Sequence, residues 1–477
     1  MSTPTVKNEH HKTKPEDRVP LGRKLAFGVG GIPQALMSTA INQLANPVFN
    51  IALGVNPVLL GVALSIPRFW DAITDPLMGN FSDNLRTRWG RRRPVIFCGA
   101  ILTGLVYMLM WNLPHGWSEM AYFWYFLIVS LIYYLAFTTF SVPFYALGYE
   151  MSPDYHEKTR VISFQNAFIA IGGLLQPWLF YFVTRGCFSD MVVGARVIAI
   201  PIGLMFMAIG VIPAIFCRER HQVSAVKKTD KTPIFKAMGQ ALCCRPFRLL
   251  ALTALVMGTG VMMVNSLGPY VNIYYVFGGD LKRAAVMQGF GGMGFFISMF
   301  ISTPAIVWLS SRISKKKALV CVMSLVVIGA ASKWWTYTPD IPWLWIVSGM
   351  VMAPGFSGVN VLIQSMIADV CDLDELQTGK RKEGIYASVY SWVVKTGMST
   401  SYFIANVILA ATGFNAALGA EQAPRTLVLM RALLAFIPVA ALLIAITLIS
   451  LYSVSEQQAY EIREQLDRRK AERHEDD

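Results

Sequence analysis

Apolar runs of about 20 to 30 residues follow one another along almost the whole chain, separated by short polar connections. A run of that length is what a helix needs to cross the roughly 30 Å hydrocarbon core of a bilayer. Only helices and closed barrels satisfy their own backbone there, and continuous apolar runs of this kind are helical. The runs lie near 25–53, 57–81, 94–113, 120–149, 161–184, 196–217, 247–277, 284–310, 318–337, 341–371, 384–412 and 426–452. Hydrophobic residues make up 54% of the chain and charged ones 15%, against about 25% charged in soluble domains. The expected class is an all-α integral membrane protein with 12 transmembrane helices in two six-helix halves. Its expected parts are a tail over 1–23, a six-helix bundle over 24–217, a central loop over 218–246, a second six-helix bundle over 247–452 and a tail over 453–477.

The net charge of +13 is explained by topology, not by nucleic acid. Arg86, Arg88, Arg91, Arg92 and Arg93 fill one connection, and Arg218, Arg220, Lys227, Lys228, Lys231, Lys236 and Arg245 fill the central one. Arg312, Lys315, Lys316 and Lys317 fill a third, while the alternate connections carry few cations. By the positive-inside rule both termini are cytoplasmic, which predicts a multi-pass protein of the cell membrane, in a bacterium the inner membrane. The first 23 residues lack the apolar core of a cleavable signal. The tail from Glu456 reads as a solvated helix. Seven cysteines without spaced partners imply neither a disulfide framework nor a metal site. No nucleophile elbow, phosphate loop or ligand cluster points to an enzyme, and Gly289-Phe-Gly291-Gly292-Met-Gly294 reads as close helix packing.

Charge reappears inside the second run, in Arg68-Phe-Trp-Asp71-Ala-Ile-Thr74-Asp75-Pro76. Spacings of three and four place Arg68, Asp71 and Asp75 on one helical face, with Asp71 within reach of both others. Ionisable groups at that depth cost several kcal/mol unless they pair or line a wet pathway. The alternatives are a static ion pair locking two helices and an ion or substrate path; one arginine does not neutralise two carboxylates, and the surplus negative charge suits a cation. A lone Lys395 in the eleventh run needs a counter-charge in the same way, as a latch or as a coupling switch. An internal echo also appears, since Ala146-Leu-Gly-Tyr-Glu150-Met-Ser-Pro-Asp154 ends the fourth run and Ser365-Met-Ile-Ala-Asp369-Val-Cys-Asp372 ends the tenth.

The segment Arg68 to Gly79, the loop Arg86-Thr-Arg-Trp-Gly90-Arg-Arg-Arg-Pro94, Ser141-Val-Pro143-Phe-Tyr145, Met366 to Asp372 and Tyr386 to Lys395 together resemble the glycoside-pentoside-hexuronide:cation symporter family of the major facilitator superfamily, the melibiose permease type. The resemblance covers about Leu25 to Tyr452. It implies the major facilitator superfamily fold of two parallel six-helix repeats with a midplane site, and cation-coupled symport of a sugar, glycoside or uronide. By it, Asp71 and Asp75 are the cation-coupling carboxylates, assisted by Thr74 and Ser141. Arg68 organises them and Lys395 faces them from the other half. The family's first-helix lysine and aspartate fall on Gln34 and Ala35, its fourth-helix aspartate on Ser141, the asparagine beside the second carboxylate on Thr74 and its fifth-helix arginine on Asn166. Those aspartates contact galactosidic hydroxyls in the family, so a galactoside is disfavoured. The coupling ion is H+ or Na+: a buried carboxylate serves a proton, and sodium wants several hard oxygens. No other cofactor is expected, and all six histidines lie in tails or loops.

Amides and aromatic faces suit sugar hydroxyls and ring C–H groups. Gln34, Asn42, Gln43, Tyr145, Gln165, Asn166, Asn265 and Asn272, with Asn360, Gln364, Tyr390 and Ser391 opposite, form the candidate lining; for each amide, helix–helix hydrogen bonding is the competing role. Asp83 with loop arginine Arg92 is a candidate cytoplasmic gate, the competing reading being a solvated basic loop. Glu150, Asp154, Asp369, Asp372, Lys380 and Arg381 are candidates for contacts between the halves. The expected partners are the solute, a coupling cation and lipid, with the chain a monomer. Alternatives are a facilitator or exporter of an organic anion or amphiphile on the same fold, and a membrane sensor without flux.

Overall fold

The computed structural model describes residues 15–219, 239, 241–378 and 383–475. Among them every regular element is helical. The first half comprises α1 (Leu21–Val29), α2 (Gly31–Ala45), α3 (Pro57–Asn84), α4 (Arg93–Met110), α5 (Glu119–Glu150), α6 (Tyr155–Leu175), α7 (Trp178–Val183) and α8 (Met191–Phe216). The second comprises α9 (Arg245–Met262), α10 (Leu267–Tyr270), α11 (Leu281–Ile313), α12 (Lys315–Thr336), α13 (Trp345–Thr378), α14 (Glu383–Ala411) and α15 (Pro424–Ser450), followed by α16 (Glu456–Glu475). Most of the expected central loop lies outside the described residues, as do Lys380 and Arg381.

Among the described residues, ten helical segments are long and apolar enough to cross a membrane. The first two expected runs fall short for physical reasons. Gly30 divides the first into α1 and α2, and α3, long enough at 28 residues, carries charge and two internal prolines, Pro67 and Pro76. Several helices begin before their apolar windows because a carboxylate caps them. Asp154 accepts from the Glu157 amide at 2.8 Å, Asp190 from Val193 at 2.9 Å, and Asp280 from Lys282 and Arg283. Such caps satisfy amides that the first turn leaves free.

Within the first half α4 packs between α5 and α8, and α2 against α6; within the second, α12 packs on α13 and α15, and α9 on α15 and α14. The halves meet where α3 runs beside α14 and where α7 meets α11. A repeat that the sequence echo did not reveal is local. Asn46–Ala52 and Val271–Val276 are both π-helical and lead into glycines of positive φ, Gly54 and Gly278.

One end of the bundle carries both described termini, the 85–92 loop and the start of the central loop; it is called here the basic end, and the opposite one the far end. At the far end the halves are in close contact. A Cβ on Gly292 of α11 would lie 2.1 Å from Pro177 Cγ, and one on Gly61 of α3 would lie 2.9 Å from Asn406 Cβ of α14. Only glycine admits so close an approach. The tail helix α16 corrects the expectation of a solvated element: Ile462 and Leu466 are buried and α16 packs against α13.

Candidate functional site

Asp71 and Asp75 lie one turn apart on α3, and Asp71 is 4% exposed. Two groups converge on them. From α5, Thr138 Oγ1 lies 2.7 Å from Asp71 Oδ1 and 3.2 Å from Asp75 Oδ1. From α14 in the other half, Lys395 Nζ lies 3.4 Å from Asp71 Oδ2 and in direct contact with Asp75 Oδ2. One hydroxyl proton serves one acceptor, so Thr138 donates to the nearer Asp71 and keeps lone pairs free toward the other side. Two carboxylates against one ammonium leave one surplus negative charge in a partly buried cluster. A second cation, as a proton on one carboxylate or a metal ion among the oxygens, removes that surplus.

Arg68 lies beside the carboxylates but is held by other partners. Its Nη2 donates to the Ser38 carbonyl of α2, and its guanidinium stacks 4.7 Å from the Tyr134 ring and 5.9 Å from that of Tyr402. Among the described residues it makes no ion pair with Asp71. Long helical side chains lean toward their own N-terminus, which carries Arg68 away from Asp71 into the aromatic layer while Lys395 takes the carboxylates. Thr74 is buried, with its hydroxyl 3.2 Å from the Asp71 backbone carbonyl and 3.5 Å from Thr138. Ser141 is buried one turn beyond Thr138 and, among the described residues, bonds to neither carboxylate. Thr138 holds the place expected of Ser141.

The lining residues are dispersed. Gln34 Nε2 donates to the Tyr145 hydroxyl at 3.4 Å, joining α2 to α5. Gln165 is buried, and its Nε2 has no partner among the described residues. Asn166, Asn265, Gln364 and Ser391 are exposed and Tyr390 is half-buried. Asn360 is exposed and donates to its own helix at Phe356. Asn272 has the competing role, donating to the Ala284 carbonyl at 3.2 Å as a helix–helix bond.

At the basic end Asp83 and Arg92 come together as expected, at 2.9 Å, and Arg92 also reaches Glu150 at 2.8 Å. Arg91 bonds the same Glu150. Of the residues expected to join the halves, Glu150 is bound within the first, Asp154 caps α6 and Asp369 is bound by Lys315 at 2.6 Å in the second, while Lys380 and Arg381 lie outside the described residues. The Glu219 carboxylate, beyond α8, accepts the backbone N–H groups of Arg91, Arg92 and Arg93 at 2.9, 2.8 and 3.1 Å. It caps α4 where the helix dipole favours an anion.

Sequence reasoning missed Thr138, Tyr134, Tyr402 and Glu219. A threonine on an apolar helix ordinarily bonds its own preceding turn, as Thr139 does to Leu135, so Thr138 carried no distinguishing signal beyond its spacing of three from Ser141. Glu219 finds its partners only in the folded chain.

The geometry has counterparts. A profile described as MFS/sugar transport protein matches residues 26–456. The putative glycoside/cation symporter YagG of Escherichia coli K12 is 23% identical, with 94% of this chain aligned to 95% of that one. The sodium-dependent lysophosphatidylcholine symporter 1 of Gallus gallus is 23% identical over 94% of this chain and 90% of its own. In fold, the bacterial homologue of the lysosomal transporter Spinster superposes with a TM-score of 0.68 at 13% identity, covering 94% of this chain and 99% of that one. With the profile spanning nearly the whole chain, the chain belongs to the MFS/sugar transport family, the glycoside-pentoside-hexuronide:cation symporters of the major facilitator superfamily.

Proposed function

We propose that the protein is a cation-coupled symporter of a sugar or glycoside, working by alternating access, with Asp71, Asp75 and Thr138 holding the coupling cation. The observation that carries this reading is Lys395 on the Asp71–Asp75 pair, because its ammonium from one half sits where a free cation would neutralise the other. A proton or sodium ion bound there competes with Lys395. Binding therefore weakens a link between halves, which is the physical requirement for coupling ion occupancy to conformation. The Gln34–Tyr145 pair, Asn166, Asn360, Tyr390 and Ser391 supply hydroxyl- and ring-binding groups on the two sides.

In this reading α1–α2 and α3 also cross the bilayer, giving two six-span halves, and both termini are cytoplasmic by the positive-inside rule. The close far end then corresponds to a state open toward the cytoplasm. The chain works as a monomer in the cell membrane. A second reading, transport of an amphiphile, draws on Ala35 and Ser141, where the family pattern has sugar-contacting carboxylates, and on the lysophosphatidylcholine symporter's similarity.

Uptake of labelled sugars, uronides and a lysophospholipid into energised and de-energised vesicles, with and without sodium, tests both. Gradient-dependent accumulation of a sugar or glycoside supports the first reading. Accumulation of the lysophospholipid alone replaces it with the second.

A further inference from the structure

Between described residues, two side-chain hydrogen-bonded links join the halves. One is Lys395 with the carboxylates. The other lies at the far end, where the Tyr270 hydroxyl donates to Asn50 Oδ1 at 2.7 Å. Tyr270 is 0% and Asn50 3% exposed.

One partner is built into unusual backbone and the other borders it. Asn50 lies within the π-helical segment Asn46–Ala52, and Tyr270 immediately precedes Val271–Val276. The two segments share one exit geometry: the Val55 amide bonds the Phe49 carbonyl at 2.8 Å, and the Gly279 amide bonds the Ile273 carbonyl at 2.8 Å. π-helical turns are rare and concentrate at functional places. Here the same device occurs once in each half, and Asn50 of the first meets Tyr270 at the edge of the second.

Both groups are aimed before they meet. Asn50 Nδ2 donates to the Val55 carbonyl at 2.7 Å, which fixes the amide so that Oδ1 points outward from its segment. The Tyr270 ring is held edge-on by Phe414 at 4.8 Å and stacks with Tyr274 at 6.4 Å. A bond within one half would be untouched when that half moves as a body. This one joins surfaces that must separate if the far end opens.

We propose that the Asn50–Tyr270 hydrogen bond is the latch of the far end, made while the protein is open at the basic end and broken when the far end opens. Parting the two groups in a dry seam leaves a donor and an acceptor unsatisfied, which costs more than the bond contributes in water. The latch therefore releases only as water enters the seam, so the far end is either closed and dry or open and wet. When a cation displaces Lys395, the latch is the side-chain hydrogen bond that remains between the halves among described residues, and it keeps a cation-only protein from opening freely. The proposal rests on the alternating-access reading.

Spin labels at Asn112→Cys and Asp340→Cys, on exposed far-end connections of the two halves, report the opening by pulsed distance measurement in proteoliposomes, with the exposed native cysteines replaced. Tyr270→Phe removes one oxygen and keeps the ring, and a melting curve checks that it folds. The expected result is a rise of about three- to tenfold in the ratio of open to closed far end, the worth of one buried neutral hydrogen bond. Asn50→Ala should act similarly, and the double variant should exceed neither single one. Unchanged populations in Tyr270→Phe, or additive effects in the double variant, overturn the latch. A parent protein showing one far-end distance under every ion and solute condition overturns alternating access itself, and the latch with it.

Discussion

Lys395 is the residue on which the account turns, since it supplies the cation on the Asp71–Asp75 pair when no other is bound. Removing one partner of a buried ion pair costs on the order of 3 to 5 kcal/mol, because the other charge is left uncompensated. The Lys395 side chain is 36% exposed, which puts the expected loss at or below the low end of that range. Lys395→Ala should therefore lower the melting temperature more than Lys395→Ala combined with Asp75→Asn; additivity of the single losses would place the lysine outside the pair. Thr138 makes a second prediction. Thr138→Val keeps the shape and removes the hydroxyl that lies between the two carboxylates, so the cation dependence of uptake should shift about tenfold, the worth of one charge-assisted hydrogen bond: to higher concentration for sodium, which loses an oxygen ligand, and to lower concentration for a proton, because the hydrogen bond favours the ionised carboxylate. An unchanged cation dependence would assign Thr138 to packing alone. Asp71, Asp75 and Lys395 were legible because charge in an apolar run demands a partner. Thr138 was not, because a hydroxyl there makes no such demand.

At the scale of elements, apolar windows located the spans, and caps decided where helices begin. The sixth run was expected from 196, yet α8 starts at Met191 under the Asp190 cap. The tail helix was expected in solvent because its composition is charged, but two apolar residues, Ile462 and Leu466, suffice to dock it. Tertiary contact outweighs mean polarity there. The same limit applies to Glu219, whose role as the α4 cap is set by a chain crossing that local pattern does not encode. Glu219→Ala should cost about 0.5 to 2 kcal/mol, the range of a helix cap, and should loosen the Asp83–Arg92–Glu150 cluster that shares the loop. The measurements are a melting curve and proteolysis at the arginines of the 85–92 loop; identical curves and cleavage rates would remove the cap from the account.

For the whole molecule, the alternation of basic and weakly charged connections sets the orientation. Tags at either terminus should be inaccessible to impermeant reagents in intact cells and reachable after permeabilisation. A terminus labelled from outside contradicts the twelve-span arrangement. Architecture and the charged core were readable because bilayer physics restricts both severely. The far-end contact was not, because Asn50 and Tyr270 are ordinary residues in apolar context and meet only through the packing of two halves. Solute identity is equally hidden, since amides such as Asn272 serve helix contacts as readily as a sugar. What unites the levels is a single claim, that cation occupancy of the α3 carboxylates drives solute movement. The direct measurement is solute accumulation and solute exchange in proteoliposomes containing the parent protein, Asp71→Asn or Asp75→Asn, under an imposed cation gradient. The parent should accumulate solute above equilibrium; each variant should lose accumulation, with exchange down a solute gradient persisting. Accumulation by both variants equal to that of the parent would contradict the account.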